Sequence, residues 1–337
     1  MSQEQSKNNV GAKIYKSTNS LNMMANDYAE IIDANDYTQG LAEHPDIPQA
    51  DAGITRAIRE KLQETIIQEF RVLDLGCGPG RITKSIAEEL LPVARAKNTT
   101  LSVVGLDVSE GFISFARTNK SGEAISYILA DFLAHDFKGK FDVVLMQGLF
   151  HHVPLADRKI WAEKCRDVLN DDGIVIVGDE FVPEYSSEND RVLNVAGLYA
   201  YVVAYALQNG NESLAKIESM NMVDDVCAGL LGAGHSNDEL IKFIQDTSCQ
   251  VYTCAHQKGT LSVEYNDLLK MLTERIQQNA AQIAATDTSD HNRGEYKISV
   301  KKQGEEFAKI GFKLESEQIY GPVNWLGGMG VLTFRKT

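Results

Sequence analysis

The sequence predicts an α/β fold built on a doubly wound, mostly parallel sheet, with a long helical insertion late in the chain. Three observations carry this. Short apolar runs alternate with helix-like segments from Arg71 to about residue 182, the rhythm stops for about a hundred residues after Pro183, and it resumes near Val300. Alternation of this kind lays strands parallel, because a helix makes each return crossing. Helices on both faces then leave the strands nearly all apolar.

The elements follow in order. Residues 1 to about 20 are polar, and NMMANDYAEIIDANDY after them has helical spacing and holds ANDY at Ala25 and Ala34. Two copies are too few for a repeat fold. His44 to Pro48 carries two prolines and reads as a loop, with a helix expected from about Ile54 to Glu69. RVLDLG opens the sheet at Arg71, RITKSIAEELLPVARA is the first crossover helix, and LSVVGLD, SEGFISFARTN and ISYILAD supply the next strand, helix and strand. FDVVLMQ is a fourth strand, Arg158 to Leu169 a helix, and GIVIVGDE a fifth strand.

In the insertion, RVLNVAGLYAYVVAYALQN and the segment from Val263 to Ile283 read as helices, the latter with Leu269, Leu272, Ile276 and Ile283 on one face. Ser236 and Glu239 form a capping box ahead of LIKFIQ. A helix from Val300 to Ile310 and the strands FKLESEQIY and GVLTFRK complete a seven-stranded sheet. The expected division is a helical lead-in over 1–70, a core over 71–182, a helical insertion over 183–290, and a closing segment over 291–337.

Charge and cysteine content narrow the function classes. With 33 basic against 47 acidic residues the formal net charge is -14, so no global attraction to phosphate backbones or anionic lipid is expected. Neither nucleic acid nor membrane is an expected partner. Cys77, Cys165, Cys227, Cys249 and Cys254 are odd in number and scattered, in a chain too large to need a disulfide framework. The first residues lack the apolar core of a signal peptide, and no run approaches the roughly 20 apolar residues of a spanning helix. A cytoplasmic location is expected.

VLDLGCGPGR places Gly76, Gly78 and Gly80 directly after a strand and before a helix, where backbone approaches a ligand closely. The spacing is G-x-G-x-G with Asp74 upstream, not the G-x-G-x-x-G of a pyrophosphate-binding dinucleotide loop. The next two strands also end in acids. Asp107 closes LSVVGLD, where a carboxylate can accept from both hydroxyls of a ribose. Asp131 follows ISYILA, where it can accept from an adenine amino group, with Phe132 beside the base. One acid at a strand end can be a helix cap; three at consecutive strand ends point to a nucleoside ligand.

On VLDLGCGPGR, VVGLDVS, the pair Ala130–Asp131 and FDVVLMQGLFHHVP, the chain resembles the class I S-adenosylmethionine-dependent methyltransferases of small-molecule type. The resemblance covers residues 71–182 and about 295–337. It implies a Rossmann-like sheet with a reversed last hairpin and S-adenosyl-L-methionine at the strand C-termini, leaving S-adenosyl-L-homocysteine as product. It implies that Asp74, Gly76, Cys77, Gly78 and Gly80 line the methionine part, Asp107 and Val108 the ribose, Asp131 and Phe132 the adenine, and Gln147 the wall beside the sulfonium. The expected reaction moves a methyl group to a nitrogen or oxygen of a small molecule.

Methyl transfer is an in-line displacement, so the protein positions the acceptor and, for a hydroxyl, removes its proton. His151, His152 and Glu180 are the candidate catalytic residues, set against structural roles in the loop and as a strand-end cap. Asp179 neighbours Glu180 at the same strand end. Tyr28, His152, Glu180, Tyr185 and Tyr199 are the candidate acceptor contacts, although an aromatic run at helical spacing also suits core packing. The insertion reads as a substrate cap, and its surface is equally compatible with homodimerisation. Cys249, Cys254 and His256 lack the paired spacing of a zinc site, so no metal is expected. Two rival functions remain: non-methylating chemistry such as a cyclisation or elimination in the same cofactor pocket, and a cofactor-sensing binding protein.

Overall fold

A computed structural model of the chain describes residues 33–211, 296–321 and 326–337, with scattered positions between 214 and 267. The candidate acceptor contact Tyr28, the expected helix over 263–283 except for Asp267, which is helical, and Cys227, Cys249, Cys254 and His256 lie outside the described residues.

Helix α1 (Ala34–Ala42) starts on an Asp33 side-chain cap, and α2 (Ile47–Glu64) follows after a short turn. Helix α2 therefore begins earlier and ends earlier than expected, and Pro48 lies inside it. Proline is tolerated in the first helical turn, because the N–H it lacks has no partner there. Ile47, Ala50, Ile54, Ile58 and Leu62 recur on one face and are buried against the sheet.

The sheet contains β1 (Glu69–Leu75), β2 (Thr100–Asp107), β3 (Ile125–Leu129), β4 (Phe141–Gln147), β5 (Leu169–Phe181), β6 (Phe312–Ile319) and β7 (Gly328–Lys336). Their order is β3-β2-β1-β4-β5-β7-β6, and β7 runs antiparallel to both β5 and β6. The reversed last hairpin implied by the resemblance is present. Between them lie α3 (Arg81–Ala96), α4 (Glu110–Asn119), a single 3-10 turn (Phe150–His152), α5 (Arg158–Val168), α6 (Glu188–Gln208) and α7 (Val300–Ala308).

Strand β5 starts at Leu169, earlier than the expected Gly173. Its pairing with β4 jumps from Phe141–Leu169 to Val143–Ile174, which leaves Asp171 and Asp172 as an exposed irregularity.

Helix α6 opens on a capping box between Ser187 and Asp190. From Val195 to Ala204 every residue is buried, Tyr199 and Tyr201 included, and the helix packs with Leu214, Ala215 and Leu326. A helix apolar on all sides needs protein around it. The capping box at Ser236 also forms, with Ser236 N–H donating to Glu239 Oε2 at 2.8 Å. Among the described residues no helix is long and apolar enough to cross a membrane.

The strand order reverses between β1 and β4, and in open α/β sheets a crevice forms at that point, outside the strand C-termini. The parallel register brings Leu75, Leu106 and Met146 level, and Gln147 level with Gly178. The glycine loop, Asp107, Gln147 and the Asp179–Glu180 end of β5 therefore share one edge.

Candidate active site

The glycine loop is set by backbone geometry that only glycine adopts cheaply. Gly76, Gly78 and Gly80 have φ of 65°, 52° and 79°. The N–H groups of Gly76 and Cys77 donate to the Leu106 carbonyl at 2.8 and 3.1 Å, and Gly78 N–H donates to Asp107 Oδ2 at 2.8 Å. The loop is thereby tied to the end of β2. A Cβ at Gly78 would meet nothing within 4 Å, so this side of the loop faces open space.

Asp107 Oδ1 accepts from Ser109 N–H at 2.9 Å. Each oxygen keeps a further lone pair for another donor. Burial raises the Asp107 pKa, opposed by the Ser109, Gly78 and Val108 amides.

Asp74 is fully buried beneath the loop. Its Oδ2 accepts from Thr83 Oγ at 2.5 Å, while Oδ1 has no partner among the described residues. Burial pushes its pKa up to about 7, despite the Thr83 hydrogen bond. Cys77 is buried and its thiol is held protonated by burial, so it is a packing residue of the loop and no nucleophile.

Asp131 accepts Leu133 N–H at 2.8 Å and is half-buried at the end of β3. Phe132 departs from expectation. Its ring is 1% exposed and packs 5.1 Å from the Trp161 ring in the core, so it does not border a ligand beside Asp131. An apolar ring next to a half-buried acid turns inward, where it buries most area.

A cavity with about 100 Å³ of open space lies on the same edge, lined by Arg81, Gln147, Gly148, His151, His152, Glu180, Tyr199 and Lys297, with His44 and Tyr37 from the N-terminal side. Four of the predicted residues, Gln147, His151, His152 and Glu180, meet here, and Tyr199 joins them from α6. Tyr185 does not. It sits under Lys302, whose Nζ is 3.4 Å from the ring centroid, at a separate surface hollow with Asp190 and Asn194.

His151 is held from two directions by Asp179. Its backbone N–H donates to Asp179 Oδ2 at 2.9 Å, and its ring Nδ1 is hydrogen-bonded to Asp179 Oδ1. Burial would raise the Asp179 pKa, but the facing His151 and the Glu180 backbone N–H outweigh it and hold the carboxyl below its ordinary value. An ionised carboxylate only accepts, so Nδ1 carries the proton and Nε2 is the basic nitrogen. The His152 ring lies 4.0 Å away, tilted against that of His151.

Glu180 forms an ion pair with Lys297 Nζ at 3.1 Å, and Lys297 also donates to the Tyr199 hydroxyl at 2.6 Å. Arg81 pairs with Asp51 from α2, and Gln147 Nε2 donates to Asp51 Oδ1 at 3.1 Å. Gln147 Oε1 is buried with no partner among the described residues. Sequence reasoning missed His44, Asp51, Arg81 and Lys297. Only Arg81 had a local signal, the position directly after the glycine loop; the other three reach the site through tertiary contacts.

Residues 72–173 match the profile of a family described as "Methyltransferase domain". With the strand order 3-2-1-4-5-7-6 and the reversed β7, that match decides the core. This core is a class I S-adenosylmethionine-dependent methyltransferase domain.

Curated relatives match part of the chain. A ubiquinone biosynthesis O-methyltransferase of Chelativorans sp. is 37% identical over 143 residues, 41% of this chain and 48% of that protein. A release factor glutamine methyltransferase of Haemophilus influenzae is 28% identical over 102 residues, 29% of this chain and 35% of that protein. A carboxy-S-adenosyl-L-methionine synthase of Nitratiruptor sp. is 24% identical over 140 residues, 41% of this chain and 55% of that protein. The chain spans about a third to just over a half of the length of these relatives. Among solved structures, a magnesium protoporphyrin IX methyltransferase from Synechocystis with bound S-adenosylmethionine aligns at 11% identity and a TM-score of 0.47, covering 94% of this chain and 97% of that one.

Proposed function

We propose that this chain transfers the methyl group of S-adenosylmethionine to a nitrogen or oxygen of a small molecule held in the cavity beside β4 and β5. The observation that carries it is the buried His151–Asp179 pair, whose His151 lines that cavity on the same sheet edge as the glycine loop.

The cofactor side fits the residues present. The open face at Gly78 gives room for close approach, Asp107 keeps lone pairs for a ribose diol, and the unpartnered Asp74 oxygen suits an ammonium group. Asp131 remains the residue for an adenine amino group. Cys77 and Val108 contribute backbone and packing. When bound, the cofactor supplies an electrophilic methyl group on a sulfonium.

The chain's own part is positioning and proton removal. Asp179 fixes the His151 ring and its tautomer, so Nε2 is the atom that takes a proton from a hydroxyl acceptor. Glu180 and Lys297 hold each other in register and orient polar groups of the acceptor, with His152 and Tyr199 bordering it. Gln147, fixed by Asp51, borders the space between the glycine loop and the cavity.

The test is incubation with methyl-labelled S-adenosylmethionine and a small-molecule extract, followed by mass spectrometry. A labelled product heavier by one methylene is expected. A product that has cyclised or lost a group without gaining a methylene, with the cofactor unconsumed, would point instead to cyclisation or elimination, and cofactor binding with neither consumption nor product to a sensor.

A further inference from the structure

His44, in the turn between α1 and α2, is a buried hydrogen-bond donor with nothing to donate to among the described residues. The side chain lines the acceptor cavity and the residue is 4% exposed. Its Nδ1 accepts backbone N–H from Asp46 at 3.2 Å and from Ile47 at 3.4 Å, which assigns the proton to Nε2. Nε2 has no hydrogen-bond partner among the described residues. It lies 3.9 Å from Glu180 Oε1, too far for a hydrogen bond. Burial lowers the His44 pKa to about 4, so the ring stays neutral near pH 7.

A buried donor without a partner costs roughly 1–3 kcal/mol, so such a group calls for an occupant. Two properties of the occupant follow. It must accept from His44 Nε2–H, and it must sit beside the Glu180 carboxylate, which only accepts. An oxygen about 2.8 Å from both atoms would subtend an angle of roughly 90°, within the range of hydroxyl geometry. An ammonium satisfies Glu180 but cannot accept from His44. A carbonyl satisfies His44 but turns its lone pairs on Glu180. A hydroxyl satisfies both, through one lone pair and one proton.

We infer that His44 and Glu180 form a hydroxyl-recognising subsite, and that the acceptor molecule carries a hydroxyl group bound between them. This rests on the cavity being the acceptor site, as proposed above. Lys297 sets the subsite by holding Glu180 Oε2, which leaves Oε1 as the atom nearest His44. Leu41, Ile47 and Met329 line the same cavity and suit an apolar body behind the hydroxyl. His44 acts here as a specificity-determining residue.

The experiment compares benzyl alcohol with benzylamine as probes, by calorimetry on the full chain saturated with S-adenosylhomocysteine. The variant is His44→Asn. An asparagine carbonyl can still accept the Asp46 and Ile47 N–H groups in an Asx turn, but the side chain is too short to reach Glu180. The wild type is expected to bind the alcohol more tightly than the amine. In H44N the alcohol should weaken roughly fivefold, the worth of one neutral hydrogen bond, with S-adenosylhomocysteine affinity unchanged.

A second readout needs no variant. In 15N-histidine spectra of the wild type, an Nε2–H resonance should move with benzyl alcohol and stay still with benzylamine. Tighter binding of the amine, equal or absent binding of the alcohol in both proteins, or an unmoved resonance would overturn the subsite. Failure of the methyltransferase reading would show separately, as no heat with S-adenosylhomocysteine.

Discussion

Replacing Asp74 by asparagine should stabilise the ligand-free protein, relative to wild type, more at pH 8 than at pH 5. Asp74 is fully buried, and burial raises its pKa from 3.8 to about 7. The unfolded chain ionises this carboxyl near 3.8, whereas the folded chain holds the proton until about pH 7. The stability associated with the bound proton is therefore complete below pH 3.8 and is lost as the pH rises to 7. The full interval corresponds to roughly 4 kcal/mol, of which about 2–3 kcal/mol falls between pH 5 and pH 8.

Asp46, with a pKa raised to about 6 by burial and by Glu180, acts in the same direction. The wild-type curve alone therefore does not isolate Asp74. The difference between wild type and D74N does, since asparagine can still accept from Thr83 and has no charge to form. Urea denaturation of both proteins at the two pH values measures it. D74N should gain about 2–3 kcal/mol on wild type between pH 5 and 8. A difference that stays flat within about 0.5 kcal/mol would refute the burial argument. Cofactor binding supplies a second check: if an ammonium takes the unpartnered oxygen, binding near pH 6.5 releases a proton. Heats measured in buffers of unlike ionisation enthalpy would reveal it.

Two further outcomes test the acceptor side. Asp179→Asn removes the carboxylate that fixes the His151 tautomer, and should lower turnover on a hydroxyl acceptor about 10²- to 10⁴-fold with S-adenosylhomocysteine affinity unchanged; equal turnover would remove His151 as base. Gly178→Ala would place a Cβ 2.6 Å from Ile54 Cδ1 and closer still to Gln147 Oε1. Overpacking of this kind should cost about 1–3 kcal/mol in urea and detach Gln147 from Asp51; an unchanged midpoint would show that the strand end has slack.

The sheet was legible because its strands read as apolar runs between helical segments. RITKSIAEELLPVARA coincides with α3, and all seven strands fall within or beside the runs that predict them. Boundaries slipped where local rules compete. Pro48 reads as loop chemistry yet occupies a first turn, and Asn170 to Asp172 read as polar while belonging to a bulged β5.

The cofactor loop and its acids were visible because each lies at a strand end with a spacing of its own. Phe132 was misplaced because sequence adjacency to Asp131 does not say which way a ring turns. His44 and Lys297 were invisible for a stronger reason. They reach the cavity from opposite sides of a long insertion, through the turn before α2 and the segment before α7, and no periodicity links residues so far apart.

Cofactor capture by the glycine loop and Asp107 is tested by calorimetric titration of S-adenosylhomocysteine into wild type and Asp107→Asn. Asparagine offers one acceptor oxygen where Asp107 uses two, for Gly78 and Ser109, and brings no charge to a ribose diol. Wild type should bind at a single site, and D107N should bind at least about tenfold more weakly, the loss of a charge-assisted hydrogen bond. No heat in the wild type, or equal affinity in the two proteins, would contradict it.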